Sequence, residues 1–249
     1  MTTLKDMIIF ENENFAIINK PYGLVVNDSH TLKGAPSLQT YLNKAFFGDL
    51  SRFDQENDKE FIMRSGLIHR LDRETSGVLI IAKTAQFFRD VQAQFKDREV
   101  QKEYLAISYR DRPVQALEFR VDAPIGRNPT NRTRFAIVEE GRNAVTDFKI
   151  LEEIKNSDGS FLVIKCFPKT GRTHQIRVHL AAVGYPVLGD KLYSGHTRTR
   201  KNKDKYERQM LHAFKITFTD PITNTDMTFE AEMPEDMKNM IDSLKTVTN

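Results

Sequence analysis

Gly66-Leu67-Ile68-His69-Arg70-Leu71-Asp72-Arg73-Glu74-Thr75-Ser76-Gly77-Val78-Leu79-Ile80-Ile81-Ala82 joins a short charged turn to an unbroken apolar run. The run reads as a buried strand, and the turn as the segment that strand presents. Asp72 lies on the turn between Arg70 and Arg73, with His69 nearby. Neighbouring positive charge keeps a carboxylate ionised, and an ionised carboxylate can act as nucleophile or base. The plain alternative is a surface turn with an i,i+2 charge pair.

Working outward from this stretch, residues 7–10 and 15–19 form two β-rich runs around Glu11-Asn12-Glu13-Asn14, a hairpin pattern. Lys20-Pro21-Tyr22-Gly23 is a turn, and Leu24-Val25-Val26 reads as another short strand. Residues 37–47 read as a helix capped by Ser37, with Leu38, Leu42 and Ala45 on one face and Gly48 at its end. Residues 49–59 are polar enough for a loop. A second helix follows over residues 84–95, capped by Thr84, with Phe87, Val91 and Phe95 on one stripe.

Residues 104–107, 134–139, 143–151 and 160–167 fit strands, with a hairpin turn at Ser157-Asp158-Gly159. Thr173 can cap a helix over residues 174–183, ended by Gly184. Residues 210–219 and 226–232 are strands around Pro221-Ile222-Thr223-Asn224, and Pro234 opens a last helix. Strands joined by hairpins, with helices at irregular intervals, predict an α+β fold with a mixed, largely antiparallel sheet and flanking helices.

The chain has 249 residues, 39% hydrophobic and 29% charged, with a net charge of +3. This composition suits a soluble protein of one large domain or two small ones. The net charge is too small to argue for nucleic acid without clustering. The single cysteine, Cys166, lies in an apolar run and reads as an inert packed thiol. No apolar run approaches the ~20 residues that span a bilayer, and no secretory signal leads the chain. The expectation is a reducing, cytoplasmic location without membrane.

A further segment, Lys169-Thr170-Gly171-Arg172-Thr173-His174-Gln175-Ile176-Arg177-Val178-His179-Leu180, is unusual in composition. Arg172, His174, Arg177 and His179 on a helix that buries Ile176 and Leu180 predict a basic face turned toward an acidic ligand, the plain alternative being a solvated face. Arg127, Arg132, Arg134 and Arg142 form a looser cationic set. Residues 196–208 add Arg198, Arg200, Lys201, Lys203, Lys205 and Arg208 without apolar periodicity. Together these runs predict a track for nucleic acid. A metal set written from His69, Asp72, His174, His179 and His212 is disfavoured. The spacing fits no metal motif, and Arg70, Arg73 and Arg177 would repel a cation.

Three segments taken together resemble the RluA family of pseudouridine synthases. They are His69-Arg70-Leu71-Asp72-Arg73-Glu74-Thr75-Ser76-Gly77, then Lys102-Glu103-Tyr104-Leu105-Ala106, then Gly171-Arg172-Thr173-His174-Gln175-Ile176-Arg177-Val178-His179-Leu180. Weaker echoes are Ile18-Asn19-Lys20-Pro21-Tyr22-Gly23-Leu24, Gly184-Tyr185-Pro186-Val187-Leu188-Gly189-Asp190 and Leu211-His212-Ala213-Phe214. Two departures stand out. Asn27-Asp28 occupies the place where relatives often carry His-Pro, and no basic S4 RNA-binding module precedes the match.

The resemblance implies a pseudouridine synthase fold with a central catalytic cleft, expected to form one catalytic domain over residues 1–249 with no separate RNA-binding domain. It implies isomerisation of uridine in structured RNA, ribosomal RNA before transfer RNA, by a monomer. Asp72 is the implied nucleophile and Arg177 its paired cation. Tyr104 is implied to pack on the target base, and Arg70 to fill the gap the flipped base leaves. Isomerisation exchanges no electrons or groups, so no cofactor is expected. The rival readings are an RNA-binding protein of this fold without catalysis and a carboxylate hydrolase. The latter would need a paired acid or a second, metal-binding Asp.

Overall fold

β1 (Ile8–Glu11) and β2 (Phe15–Lys20) form the antiparallel hairpin the sequence predicts. The Asn12 side chain closes it by accepting the amide protons of Asn14 and Phe15. The computed structural model describes residues 3–28, 35–49, 51, 53–54, 56–195 and 206–246. A one-turn helix, α1 (Leu4–Met7), precedes the hairpin. After it the chain does not make the strand expected at residues 24–26. The Val25 and Val26 carbonyls instead accept the amide protons of Leu38 and Gln39, at the start of α2 (Leu38–Phe46). The first amides of a helix have no partner within it, and these carbonyls supply one.

Ser37 caps α2 as expected, accepting the Thr40 amide proton at 3.1 Å. Leu38 and Leu42 are buried, whereas Ala45 is exposed. The segment read as loop ends in a short helix, α3 (Lys59–Met63), anchored by Phe61. β3 (Ser76–Ala82) pairs antiparallel with β2, Ile80 opposite Ile17, and every one of its residues is buried. A strand covered on both faces has no need to alternate, which is why it reads as one apolar run. Thr84 caps α4 (Ala85–Asp97). Phe87 on α4 stacks on Phe15 of β2 with ring centroids 4.6 Å apart.

The next elements are β4 (Gln101–Tyr109), β5 (Glu118–Asp122), β6 (Ile125–Arg127), β7 (Phe135–Ile137), β8 (Val145–Asn156) and β9 (Gly159–Pro168). They are followed by α5 (Gln175–Ala182), β10 (Leu211–Asp220), β11 (Thr225–Glu230) and α6 (Glu235–Thr246). The fold is α+β, with a mixed sheet flanked by helices. It resolves into two units, Met1–Gln101 with Lys215–Ala231, and Lys102–Phe214 with Glu232–Asn249. In the first, β2 lies between β1 and β3, and β11 pairs with the second half of β10. In the second, β4, β9, β8 and β5 are consecutive antiparallel neighbours, and β6 and β7 form a separate ribbon.

Strand alternation sorts the second unit into two layers. Ala106, Leu162, Ile164 and Cys166 face α5, packing with Ile176 and Leu180. Leu105, Ile107, Phe161 and Val163 face α6, packing with Met237 and Leu244. Cys166 is fully buried, and burial drives its thiol pKa far up, as expected of an inert thiol. Among the described residues no helix is long and apolar enough to cross a membrane.

Candidate active site

The Asp72 turn belongs to the first unit, and its geometry is set by the backbone on both sides. Gly66 has φ +71°, and a Cβ there would meet the Ala82 carbonyl oxygen at 2.0 Å. Only glycine lets the two backbones approach so closely. The Gly66 carbonyl accepts the Ala82 amide proton at 2.9 Å, and Leu67 bridges to Ile81. The chain then loops out over residues 68–75 and returns as β3. Ile68 and Leu71 are buried and anchor the loop, whereas Arg70 and Arg73 are exposed and Asp72 is half-buried.

Arg73 is gripped by the Lys20–Gly23 turn. Its carbonyl accepts the Gly23 amide proton at 2.8 Å and the Lys20 ammonium at 3.1 Å. Its Nε donates to the Gly23 carbonyl. The Asp72 carbonyl accepts the Thr75 amide proton. Asp72 is therefore presented between the buried Leu71 and an Arg73 held by hydrogen bonds. His69 has a structural role. Its Nε2 accepts the Ile80 amide proton at 3.0 Å and its ring stacks on Phe95. An accepting Nε2 places the proton of the neutral ring on Nδ1.

Tyr104 and Arg177 belong to the second unit. Tyr104 lies on β4 opposite Cys166 and packs against the apolar layer beneath α5. Lys102, two residues earlier, shares that sheet face. Burial, with Lys169 nearby, lowers its ammonium pKa to about 8.

The helix carrying Arg177 departs from its sequence reading in two ways. Thr173 does not cap it. His174 is the N-cap residue, in the left-handed region at φ +58°, with no side-chain cap. The Gln175 side chain ties the entrance instead. Its Oε1 accepts from the Thr170 hydroxyl and the Arg172 amide, and its Nε2 donates to the Val145 carbonyl and Thr146 Oγ1. The basic face is also absent, because residues 175–180 are all buried. His179 is sealed between Thr146 Oγ1 and the Ala123 carbonyl, and burial lowers its pKa.

Arg177 is held by a forked ion pair. Its Nε donates to Asp190 Oδ2 at 2.7 Å and its Nη2 to Asp190 Oδ1 at 3.0 Å. The guanidinium carbon lies 5.1 Å from the centre of the Tyr193 ring. The Tyr193 hydroxyl accepts the Phe135 amide proton at 3.0 Å and hydrogen-bonds His174 Nδ1. The sequence marks neither Asp190 nor Tyr193 as a site residue, because a carboxylate beyond the end of the helix carries no local sign of its partner.

Of the cationic runs, residues 196–205 lie outside the described residues. Arg208 is no surface cation: it is buried, with a forked ion pair to Asp236 and donation to the Gln209 and Leu211 carbonyls. Arg127 is exposed. It donates to the Arg132 carbonyl and lies over the Phe135 ring. Arg132 and Arg142 are also exposed.

The class of protein is identified by comparison with known proteins. Residues 14–182 match the family model of RNA pseudouridylate synthases. The chain is 35% identical over 243 residues to "Ribosomal large subunit pseudouridine synthase D" of Nitrosomonas europaea, covering 96% of this chain and 65% of that protein. It is 36% identical over 239 residues to the protein of the same name from Zymomonas mobilis, covering 93% of this chain and 70% of that one. It thus spans about two thirds of the length of these relatives. Among solved structures, "Human RNA Pseudouridylate Synthase Domain Containing 1" superposes with a TM-score of 0.70 at 23% identity, covering 100% of this chain and 98% of that one. That likeness concerns the fold.

The chain belongs to the RNA pseudouridylate synthase family, as the resemblance to RluA-type enzymes implied. The enzyme class that goes with this membership is an isomerase converting uridine to pseudouridine in RNA.

Proposed function

We propose that this chain isomerises specific uridines in structured ribosomal RNA with Asp72 as the nucleophile. The observation that carries the reading is the Asp72 turn, where a half-buried carboxylate sits between the buried Leu71 and an Arg73 held by hydrogen bonds, inside the region matched by the family. Such fixed presentation is what a nucleophile requires. The ribosomal target is favoured by the names of the relatives.

The reaction breaks the N1–C1′ bond, turns the base and joins C5 to C1′. The C5 hydrogen leaves and N1 takes one up, so the product is an isomer and no electron acceptor or group donor is required. One carboxylate can carry this by adding to the base or the sugar and leaving again. In this reading Arg177 keeps Asp72 charged and aimed. Tyr104 stacks on the flipped uracil and shares in moving the proton. Arg70, at the exposed tip of the turn, stacks in the space the base vacates. The two units act together as one catalytic domain, in the cytoplasm, where the RNA substrate is found.

Mapping pseudouridines in ribosomal and transfer RNA from cells with the gene, without it, and with Asp72→Asn tests the proposal. The same ribosomal positions should be lost in the second and third. Modification restored by Asp72→Asn would overturn the role of Asp72. Loss confined to transfer RNA would overturn the target.

A further inference from the structure

We infer that Asp190 and Tyr193 form a clamp that positions the Arg177 guanidinium for the reaction. The inference rests on the role proposed for Arg177 and adds how that residue is aimed. Arg177 is almost fully buried, and the Asp190 side chain is completely so. A buried ion pair is costly unless every donor and acceptor is matched, and here the matching is extensive. Both Asp190 oxygens receive the arginine fork, and Oδ1 also accepts the amide protons of Leu192 at 2.8 Å and Tyr193 at 3.2 Å.

The turn carrying the carboxylate cannot shift easily. Gly189 has φ +76°, and a Cβ there would meet the Arg208 carbonyl oxygen at 2.0 Å. The Asp190 carbonyl accepts from the Ser194 hydroxyl at 2.6 Å and the Ser194 amide at 3.2 Å. Tyr193 then supplies the flat face against which the guanidinium rests. Its hydroxyl ties that face to the start of α5 and to β7.

A guanidinium gripped along its Nε–Nη2 edge and backed by a ring keeps one orientation. Lysine cannot reproduce this, because a single ammonium has no fork. Arg177 is also almost fully buried, out of reach of the general run of phosphates. The clamp therefore serves aim rather than the general attraction of RNA, and its loss should appear in turnover and not in affinity.

Asp190→Asn keeps an acceptor for the Leu192 and Tyr193 amides and removes the charge and half the fork. Single-turnover rates at saturating RNA, well below the unfolding temperature, should fall ten- to hundredfold, with the RNA dissociation constant within twofold of wild type. Combining it with Arg177→Lys should cost no more than Arg177→Lys alone, since residues acting through one group are not additive. A slow Arg177→Lys beside a wild-type rate in Asp190→Asn, or multiplying losses in the double variant, overturns the clamp and leaves the role of Arg177 standing. A wild-type rate in Arg177→Lys overturns that role and the clamp with it. If Asp190→Asn does not fold, Tyr193→Leu carries the test. A three- to tenfold fall in rate at unchanged affinity is expected, and an unchanged rate overturns the clamp.

Discussion

The turn carrying Asp72 and the helix carrying Arg177 are held by different means. Around Asp72 the chain is positioned mainly through backbone groups: the Gly66 approach to Ala82, the Leu67–Ile81 bridge, and the Arg73 carbonyl, which accepts from the Gly23 amide and the buried Lys20 ammonium. Around Arg177 side chains do the positioning, through Asp190, Tyr193, Gln175 and His179. Geometry held through backbone groups depends on a few glycines and on the donors that reach its carbonyls, here Gly23 and Lys20. Side-chain-held geometry depends on buried charges, which are costly when a partner is lost and sensitive to protonation.

The largest test of this difference is Gly66→Ala. The added methyl would meet the Ala82 carbonyl in a backbone conformation that disfavours alanine. Stability should fall by about 3 kcal/mol or more in urea unfolding. A loss under about 1 kcal/mol would show that the backbone yields there, and the contrast between the two regions would fail.

Tyr104 comes next. If its ring and hydroxyl both act on the base, Tyr104→Phe should slow single turnover roughly tenfold and Tyr104→Ala on the order of a hundredfold. Equal losses would leave only the hydroxyl with a role. Wild-type rates in both would return Tyr104 to the apolar layer under α5 as packing.

Arg70 is exposed and outside the backbone grip, so its replacement probes RNA rather than the turn. Arg70→Ala should slow modification of a duplex-embedded uridine about tenfold more than that of an unstructured one, since only the duplex must be held open. Equal slowing of both substrates would assign Arg70 to phosphate contact instead.

A last effect concerns Lys102 and pH. Its ammonium titrates at about 8 in the folded protein, below its ordinary 10.5. Between those values the unfolded chain binds more protons. Stability should therefore rise with pH there, by at most about 1.4 kcal/mol per pH unit, and lack that contribution below pH 8. Lys102→Met should remove this slope and gain most over wild type near neutral pH. Parallel curves for the two proteins in urea unfolding from pH 7 to 10.5 would show that Lys102 is not the source of the slope.

Elements governed by local rules were legible in the sequence. Ser37 and Thr84 cap their helices, the Asn12 turn closes its hairpin, and the run ending at Ala82 is a doubly covered strand. Each depends on neighbours within a few residues, so its signal is present in the chain itself. The strand expected at residues 24–26 failed because the carbonyls there serve the amides of α2, a demand set by packing. The helix at α5 was placed almost to the residue, yet its faces were misread. Arg177 and His179 count as polar by type, and their burial follows from acceptors on other elements.

The sequence by itself determined the α+β class, the turn that presents Asp72 and the family to which the chain belongs, because caps, glycines and apolar runs act over short spans. Only the tertiary structure decided that Arg177 is clamped by Asp190 and Tyr193, that Arg208 is spent on Asp236 rather than left on the surface, and that α5 is buried. The physical reason is that a charge takes its role from whatever the fold brings within about 3 Å of it, and that partner is not encoded by any spacing along the chain.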